Sequence, residues 1–494
     1  MTDENKVVVQ RLCTGVPGLD ALLGGGLAEF SFNIIAGCPG SGKTTLAHQL
    51  LFALANPERK ALYFTVLGEP PLKMLRYQQQ YSFFDSAKVN TSIRFVNLGD
   101  EVMKGDFERV MARIVEEVES FEPALVIVDS FSSVTLAAMH VSVLQGFVQR
   151  LGILLTSWQA TTFLIGEYMA VDSEANPVFT IADGIFLLMQ SLHRSSVVRK
   201  IQIAKSRGQA TIAGLHTMRI SEDGIQVFPR TLSEPSAKKS RQQDSKASKR
   251  PALAMGTPKL DDMMGSGLPA GYSLLIAGPS GSGKSLLATA FLVEGARIGE
   301  KGVVAAFEKG PGQTHNPRLD ELVEAGQVAV IDTRALDLSI DETLHEITQT
   351  IRNTGATRVV IDSLSGFELA LAPTFREDFR ESLHRMVAVL TAIGATVVMI
   401  SELEDRYSDL RFSPYGAAFL TDAIIVQRYV ELEGELKRVM AVVKVRNSAH
   451  SHALCLYDIT ASGIVIAEPR PDLDALLTGR PRTTAAPPRR PEAA

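Results

Sequence analysis

The sequence predicts an α/β protein of two tandem domains, each built around a mostly parallel sheet, and three observations predict it. The chain repeats itself over a long interval. Short apolar runs alternate with helical patterns in both halves. The same glycine-rich turn follows the first buried run of each half. At 494 residues the chain is also too long for one ordinary core.

The repeat is explicit. Thr14 to Thr44 reads TGVPGLDALLGGGLAEFSFNIIAGCPGSGKT, and Met255 to Ser285 reads MGTPKLDDMMGSGLPAGYSLLIAGPSGSGKS. Gly15, Pro17, Leu19, Asp20 and Gly26 recur as Gly256, Pro258, Leu260, Asp261 and Gly267. The interval is constant: 241 residues separate Gly15 from Gly256 and Lys43 from Lys284. A period this long marks duplicated domains, not a solenoid of short repeats. The expected domains are 1–232 and 253–470. Between them, 233–252 is rich in Ser, Lys, Arg and Gln and reads as a flexible, solvated linker. The tail 471–494, ending TTAAPPRRPEAA, reads as disordered.

Within each half the buried runs read as strands. Phe32–Ala36, Ala61–Val66 and Ala124–Val128 are matched by Ser273–Ala277, Val303–Phe307 and Arg358–Ile361. Apolar strands alternating with helical stretches point to parallel sheets covered on both faces. Hydrophobic residues at 45% and charged residues at 21% fit a soluble globular protein. A net charge of -5 gives no general attraction to nucleic acid. Cys13, Cys38 and Cys455 fit no disulfide framework or zinc knuckle, and His315, His450 and His452 fit no zinc spacing. The N-terminus carries no signal-like apolar stretch. No apolar run reaches the roughly 18 residues of a spanning helix. The expected location is therefore the reducing cytoplasm, away from membranes.

Two segments fit GxxxxGK[ST], a phosphate-binding loop. Gly37, Gly40, Ser41, Gly42, Lys43 and Thr44 form the first, with Thr45 continuing into a helix; Gly278, Gly281, Ser282, Gly283, Lys284 and Ser285 form the second. The glycines let backbone N–H groups converge on phosphate oxygens. The helix that follows favours an anion at its N-terminus. Lys43 and Lys284 suit the β/γ-phosphates of ATP, and the hydroxyls of Thr44 and Ser285 suit Mg²⁺. The acidic partners expected for that Mg²⁺ are Asp129 and Asp362, each ending an apolar strand, where ligands gather in open α/β sheets. For water activation, Glu308 follows the strand Val303–Phe307, and Glu69 is the only acid in the corresponding stretch of the first half. Lys205-x-Arg207 and Lys444-x-Arg446 follow strand-like runs far downstream of the loops, and a period of two sets both cations of each pair on one face.

These residues resemble the KaiC family of the RecA/DnaB superfamily. The TGVPGLD…GGGL lead-in, the VIVDS and VVIDS segments, and the Lys-x-Arg segments followed by Gly208 or Asn447-Ser448-Ala449-His450 carry the likeness, over about residues 10 to 468. The resemblance implies two RecA-like domains and a double-ring homohexamer with ATP at subunit interfaces. It also implies that Lys205, Arg207, Lys444 and Arg446 act on the neighbouring subunit's ATP. The family carries paired glutamates after the second strand. Here Glu308 is followed by Lys309, and the alignment sets Gly68 and Glu69 against the pair in the first half. Slow hydrolysis with retained ATP binding is expected there. The family's Ser-Thr phosphorylation pair, set shortly before a Thr-Asp dipeptide, meets Ala418 and Phe419 before Thr421-Asp422, leaving Ser413 as the nearby hydroxyl. The leading expectation is a hexameric ATPase coupled to a signalling partner protein. The alternatives are a recombinase or helicase on DNA, a nucleotide-gated scaffold, and a Ser/Thr autokinase.

Overall fold

The computed structural model describes residues 9–66, 71–131, 141–168, 177–193, 196–230, 250–307, 316–332, 339–371, 373–376, 379–403, 420–432, 434–461, 463–469, 473–474 and 482–483. The chain divides into two compact units, Met1–Arg230 and Thr231–Ala494.

In the first unit, β1 (Phe32–Gly37) leads through the glycine-rich turn into α1 (Lys43–Leu54). There follow β2 (Ala61–Thr65), β3 (Ile93–Asn97), α2 (Phe107–Phe121), β4 (Leu125–Asp129), α3 (Val141–Ser157) and β5 (Thr161–Gly166). A run of long strands closes the unit: β6 (Gly184–His193), β7 (Ser196–Ser206), β8 (His216–Ser221) and β9 (Gly224–Phe228). The second unit repeats the series with β10 (Ser273–Gly278), α4 (Lys284–Arg297), β11 (Gly302–Ala306), β12 (Val328–Asp332), α5 (Ile340–Thr354), β13 (Arg358–Asp362), α6 (Phe379–Ala392) and β14 (Thr396–Glu402). Its closing strands are β15 (Ala423–Leu432), β16 (Glu435–Val445), β17 (Cys455–Thr460) and β18 (Gly463–Ile466).

Both sheets have nine strands in one order. The first runs β9-β8-β7-β6-β1-β5-β4-β2-β3, and the second is its equivalent, β18-β17-β16-β15-β10-β14-β13-β11-β12. From β6 to β3 every pairing is parallel, and the β6–β9 extension is antiparallel. These are the tandem RecA-like α/β domains with mostly parallel sheets that the sequence predicts.

Every residue of β1 and β10 is buried, because each strand lies at the centre of a sheet covered on both faces. Alternation divides the neighbours: Ile34 packs with Phe64, Val126 and the α2 stripe Val110, Ile114 and Val118, whereas Ile35 packs with Leu46, Leu50, Tyr63 and Ile127. Helix boundaries follow local chemistry. The Ser339 hydroxyl accepts from the Glu342 amide to cap α5, and Gly355, at φ 72°, ends it in the left-handed conformation. Arg358 is 1% exposed. Its guanidinium meets Glu300 at 2.6 Å and the carbonyls of Ala254 and Phe291 at 3.0 and 2.7 Å. Gly295 makes room for it, since a Cβ there would lie 2.5 Å from Arg358 Cδ.

Candidate functional site

Each glycine-rich turn leaves the C-terminal end of the central strand and opens a helix. Gly42 and Gly283 stand at the N-caps with φ of 99° and 94°, values that favour glycine, and no side chain caps either helix. The first-turn amides thus face the turn rather than a capping side chain, which suits an anion. Lys43 Nζ donates to the Cys38 carbonyl at 2.9 Å and Lys284 Nζ to the Pro279 carbonyl at 2.7 Å. Burial pulls the Lys43 pKa down, against the opposing pull of Glu167 and Asp129.

The strand order explains why the acids belong to the same cleft. Asp129 ends β4 and Asp362 ends β13, one strand removed from β1 and β10. Thr44 Oγ1 donates to Asp129 Oδ2 at 2.9 Å. Burial raises the Asp129 pKa, and the hydrogen bonds from Tyr63 and Thr44 oppose the rise. In the second unit Asp362 lines a cavity of about 700 Å³ with Lys284 and Ser285, walled on its apolar side by Leu286, Leu319, Val323 and Ile459. The peptide bond after each aspartate is cis in both units.

The strand between carries an acid that sequence reasoning missed. Glu167 follows β5 directly, and Glu402 ends β14. Ala36 pairs with Gly166 and Gly278 with Glu402, so the two glutamates are equivalent and stand between the loop lysine and the strand-end aspartate. Glu402 lines the second cavity. The signal was available as FLIGE beside VMISE, but only the strand order gives it meaning.

Glu69 and Glu308 lie outside the described residues, as do Ser413, Ala418 and Phe419. The ladders fix the register of the strands that lead towards Glu69 and Glu308. Thr65 pairs with Asp129 and Ala306 with Asp362, and the amides of Val66 and Phe307 donate to those aspartates' carbonyls at 2.8 and 3.1 Å. The residue after Phe307 is Glu308, and the residue after Val66 is Leu67. Counted along the sequence from Val66 and Phe307, Glu308 corresponds to Leu67, one residue before Gly68.

The units differ beneath the loop as well. Tyr63 donates to Asp129 Oδ2 at 2.7 Å and stacks on His48 at 4.6 Å, with Phe95 5.4 Å from the tyrosine ring. Burial holds His48 neutral, its pKa lowered to about 4. The equivalent positions of the second unit are Thr289, Val304 and Val330, which line its cavity.

The Lys-x-Arg pairs lie elsewhere. Lys205 and Arg207 stand at the end of β7, and Lys444 and Arg446 at the end of β16. Arg207 meets Asp183 at 3.1 Å and Arg446 meets Asp422 at 3.3 Å. Those aspartates accept from the amides of Phe32 and Ser273, the first residues of β1 and β10. Each pair therefore sits at the opposite end of the central strand from its own loop. Six residues of strand span about 17 to 20 Å. Lys205 Nζ donates to the carbonyls of Thr180 and Phe179, and Lys444 Nζ to that of Thr421. Burial and the adjacent arginine lower the pKa of both lysines.

Among the described residues no cluster of three or more His, Cys, Asp or Glu side chains comes together to hold a metal. One hydroxyl and one carboxylate per cleft instead suit Mg²⁺ that takes its remaining ligands from phosphate and water. No described helix is long and apolar enough to cross a membrane.

A central P-loop strand, an intervening strand and a strand-end aspartate, all duplicated, define a tandem RecA-like P-loop ATPase. A family model described as the KaiC ATPase matches residues 12–232 and again 253–471, and the chain belongs to that family. It is similar to the circadian clock oscillator protein KaiC of Rippkaea orientalis, 26% identical over 97% of this chain and 93% of that one. It is likewise similar to the circadian clock protein KaiC3 of a Synechocystis strain, at 25% over 98% and 97%.

Proposed function

We propose that the chain forms a homohexameric ring that binds ATP at both P-loops, hydrolyses it slowly, chiefly in the second unit, and regulates a protein partner. The observation that carries this reading is the separation of each Lys-x-Arg pair from its own loop by the whole length of the central strand. Such cations are useful to phosphates only if another subunit supplies the ATP. An arginine delivered in this way stabilises the charge that develops during phosphoryl transfer.

In each cleft the loop amides and Lys43 or Lys284 bind the phosphates. Thr44 with Asp129, and Ser285 with Asp362, hold Mg²⁺, which neutralises phosphate charge when bound. Glu308 serves as general base in the second unit, and Glu402, between lysine and aspartate, orients the water. General-base assistance contributes about 10²–10⁴-fold. Leu67 offers none, and Glu69 lies two residues further along. The first unit therefore mainly retains ATP at the ring interface, the part of the nucleotide-gated scaffold reading that Leu67 favours. Ala418 and Phe419 occupy the family's phosphorylation pair, so regulation runs through nucleotide state rather than a Ser-Thr cycle. We place the ring in the cytoplasm, without a nucleic-acid substrate.

Lys284→Ala should abolish most phosphate release, whereas Lys43→Ala should spare much of the turnover per assembled ring but weaken ATP-dependent assembly, read by light scattering with and without ATP. Turnover that survives Lys284→Ala overturns the assignment of hydrolysis to the second unit.

A further inference from the structure

We infer that Asp422 and Asp183 are positioning residues for the arginines that act on the neighbouring subunit's ATP; the inference rests on the trans reading above. In the second unit, Asp422 Oδ1 accepts from Arg446 Nη1 at 3.3 Å. Its other oxygen accepts from the Ser273 amide at 3.0 Å and the Ser273 hydroxyl at 2.9 Å. The backbone runs the same way: the Asp422 amide donates to the Ser273 carbonyl at 2.9 Å, and the Arg446 amide to the Asp422 carbonyl at 2.9 Å. The first unit repeats the arrangement. Asp183 Oδ1 takes Arg207 Nη1 at 3.1 Å, Oδ2 takes the Phe32 amide at 3.0 Å, and the Arg207 amide donates to the Asp183 carbonyl at 2.9 Å.

The chemistry of the contact is orientation. Arg446 is half exposed on a long side chain whose ordering costs rotamer entropy. A carboxylate fixed by two donors of β10 offers it one charge-assisted bond of defined direction. The carboxylate is anchored on the first residue of the strand whose last residue begins the subunit's own P-loop. One rigid strand thus joins a subunit's own phosphate loop to the arginine it lends to its neighbour. A shift of about 1 Å in a catalytic group can cost roughly a hundredfold in rate, so this carboxylate makes the arginine effective. Neither aspartate touches ATP of its own subunit, since both lie at the far end of the strand.

Asp422→Asn tests this in the full-length ring. The amide oxygen still accepts from Ser273, so the fold is retained, but the ion pair with Arg446 is lost. Turnover should fall at least roughly tenfold, with the ATP concentration for half-maximal rate and the thermal midpoint little changed. Mixing Asp422→Asn subunits with Lys284→Ala subunits should restore turnover. The Lys284→Ala subunit keeps an intact arginine and serves the neighbour's working site. Arg446→Ala mixed with Lys284→Ala is the reference. If Asp422→Asn does not lower turnover, the inference is overturned. It is also overturned if the reference mixture recovers and the Asp422→Asn mixture does not, because the aspartate then acts within its own subunit. If neither mixture recovers, the trans reading itself fails and the inference falls with it.

Discussion

Removing one oxygen atom in the first unit, by Tyr63→Phe, should change how its nucleotide site responds to pH. Asp129 Oδ2 accepts from Thr44 at 2.9 Å and from Tyr63 at 2.7 Å. Both bonds favour the ionised carboxylate, while burial disfavours it and prevails, leaving the pKa raised. The phenylalanine ring keeps its place against His48 and Phe95, so the perturbation is confined to the hydroxyl. A hydrogen bond to a charged group contributes about 1.5–3 kcal/mol, and its loss should increase the proton affinity of Asp129 by roughly tenfold to a hundredfold. The direction follows from which form is needed: Mg²⁺ requires the ionised carboxylate, present above the folded-state pKa and lost as pH falls through it. Tyr63→Phe should move that loss to higher pH. The assay is binding of a fluorescent ATP analogue with Mg²⁺ across pH, in a Lys284→Ala background that silences the second site. At alkaline pH the two proteins should bind alike, and below that they should diverge. Superimposable profiles would refute the role given to the Tyr63 hydroxyl.

Two further outcomes follow from buried charge. His48 is fully buried with its pKa lowered to about 4, so below pH 6.5 the unfolded chain takes up a proton that the folded one refuses. Stability should therefore be lost as pH falls from 6.5 towards 4, by up to about 3 kcal/mol. His48→Leu should flatten that slope, as read by hydrogen exchange of peptides spanning 43–66; an unchanged slope counts against it. Arg358→Ala leaves Glu300 without its buried partner and removes two carbonyl contacts, which should destabilise the second unit by about 3 kcal/mol. Arg358→Leu, the residue of the equivalent position Leu125, should cost less, and thermal midpoints compare the two.

What the sequence made legible was whatever is encoded locally. The P-loops, the strand-end aspartates and the repeat are patterns within a few residues or at one fixed interval, and the structure sets Thr44 within hydrogen-bond distance of Asp129. What it concealed depends on strand order. Glu167 and Glu402 look like ordinary residues after a strand until β5 and β14 are found between the P-loop strand and the aspartate strand. The role inferred for Asp183 and Asp422 depends on β6 and β15 beginning beside the first residues of β1 and β10. The difference between setting Gly68 and setting Leu67 against Glu308 has a related cause. Without the ladder that pairs Thr65 with Asp129, the only nearby glutamate draws the alignment towards itself.

Duplication of the fold does not require duplication of the chemistry, and the substitutions below the loop argue that it was not kept. His48, Tyr63 and Phe95 stand where Thr289, Val304 and Val330 stand, and all three exchanges replace smaller side chains by rings. Any one ring introduced alone into the second unit would project into its cavity; together they stack at 4.6 and 5.4 Å and place a hydroxyl on Asp129. The same unit carries Leu67 in place of Glu308. A site whose aspartate is clamped by a buried phenol, and whose neighbouring position lacks a base, is suited to holding nucleotide. A site with Glu402 and an open cavity beside Lys284 is suited to turning it over, and the proposed division would give both P-loops a reason to persist in one chain.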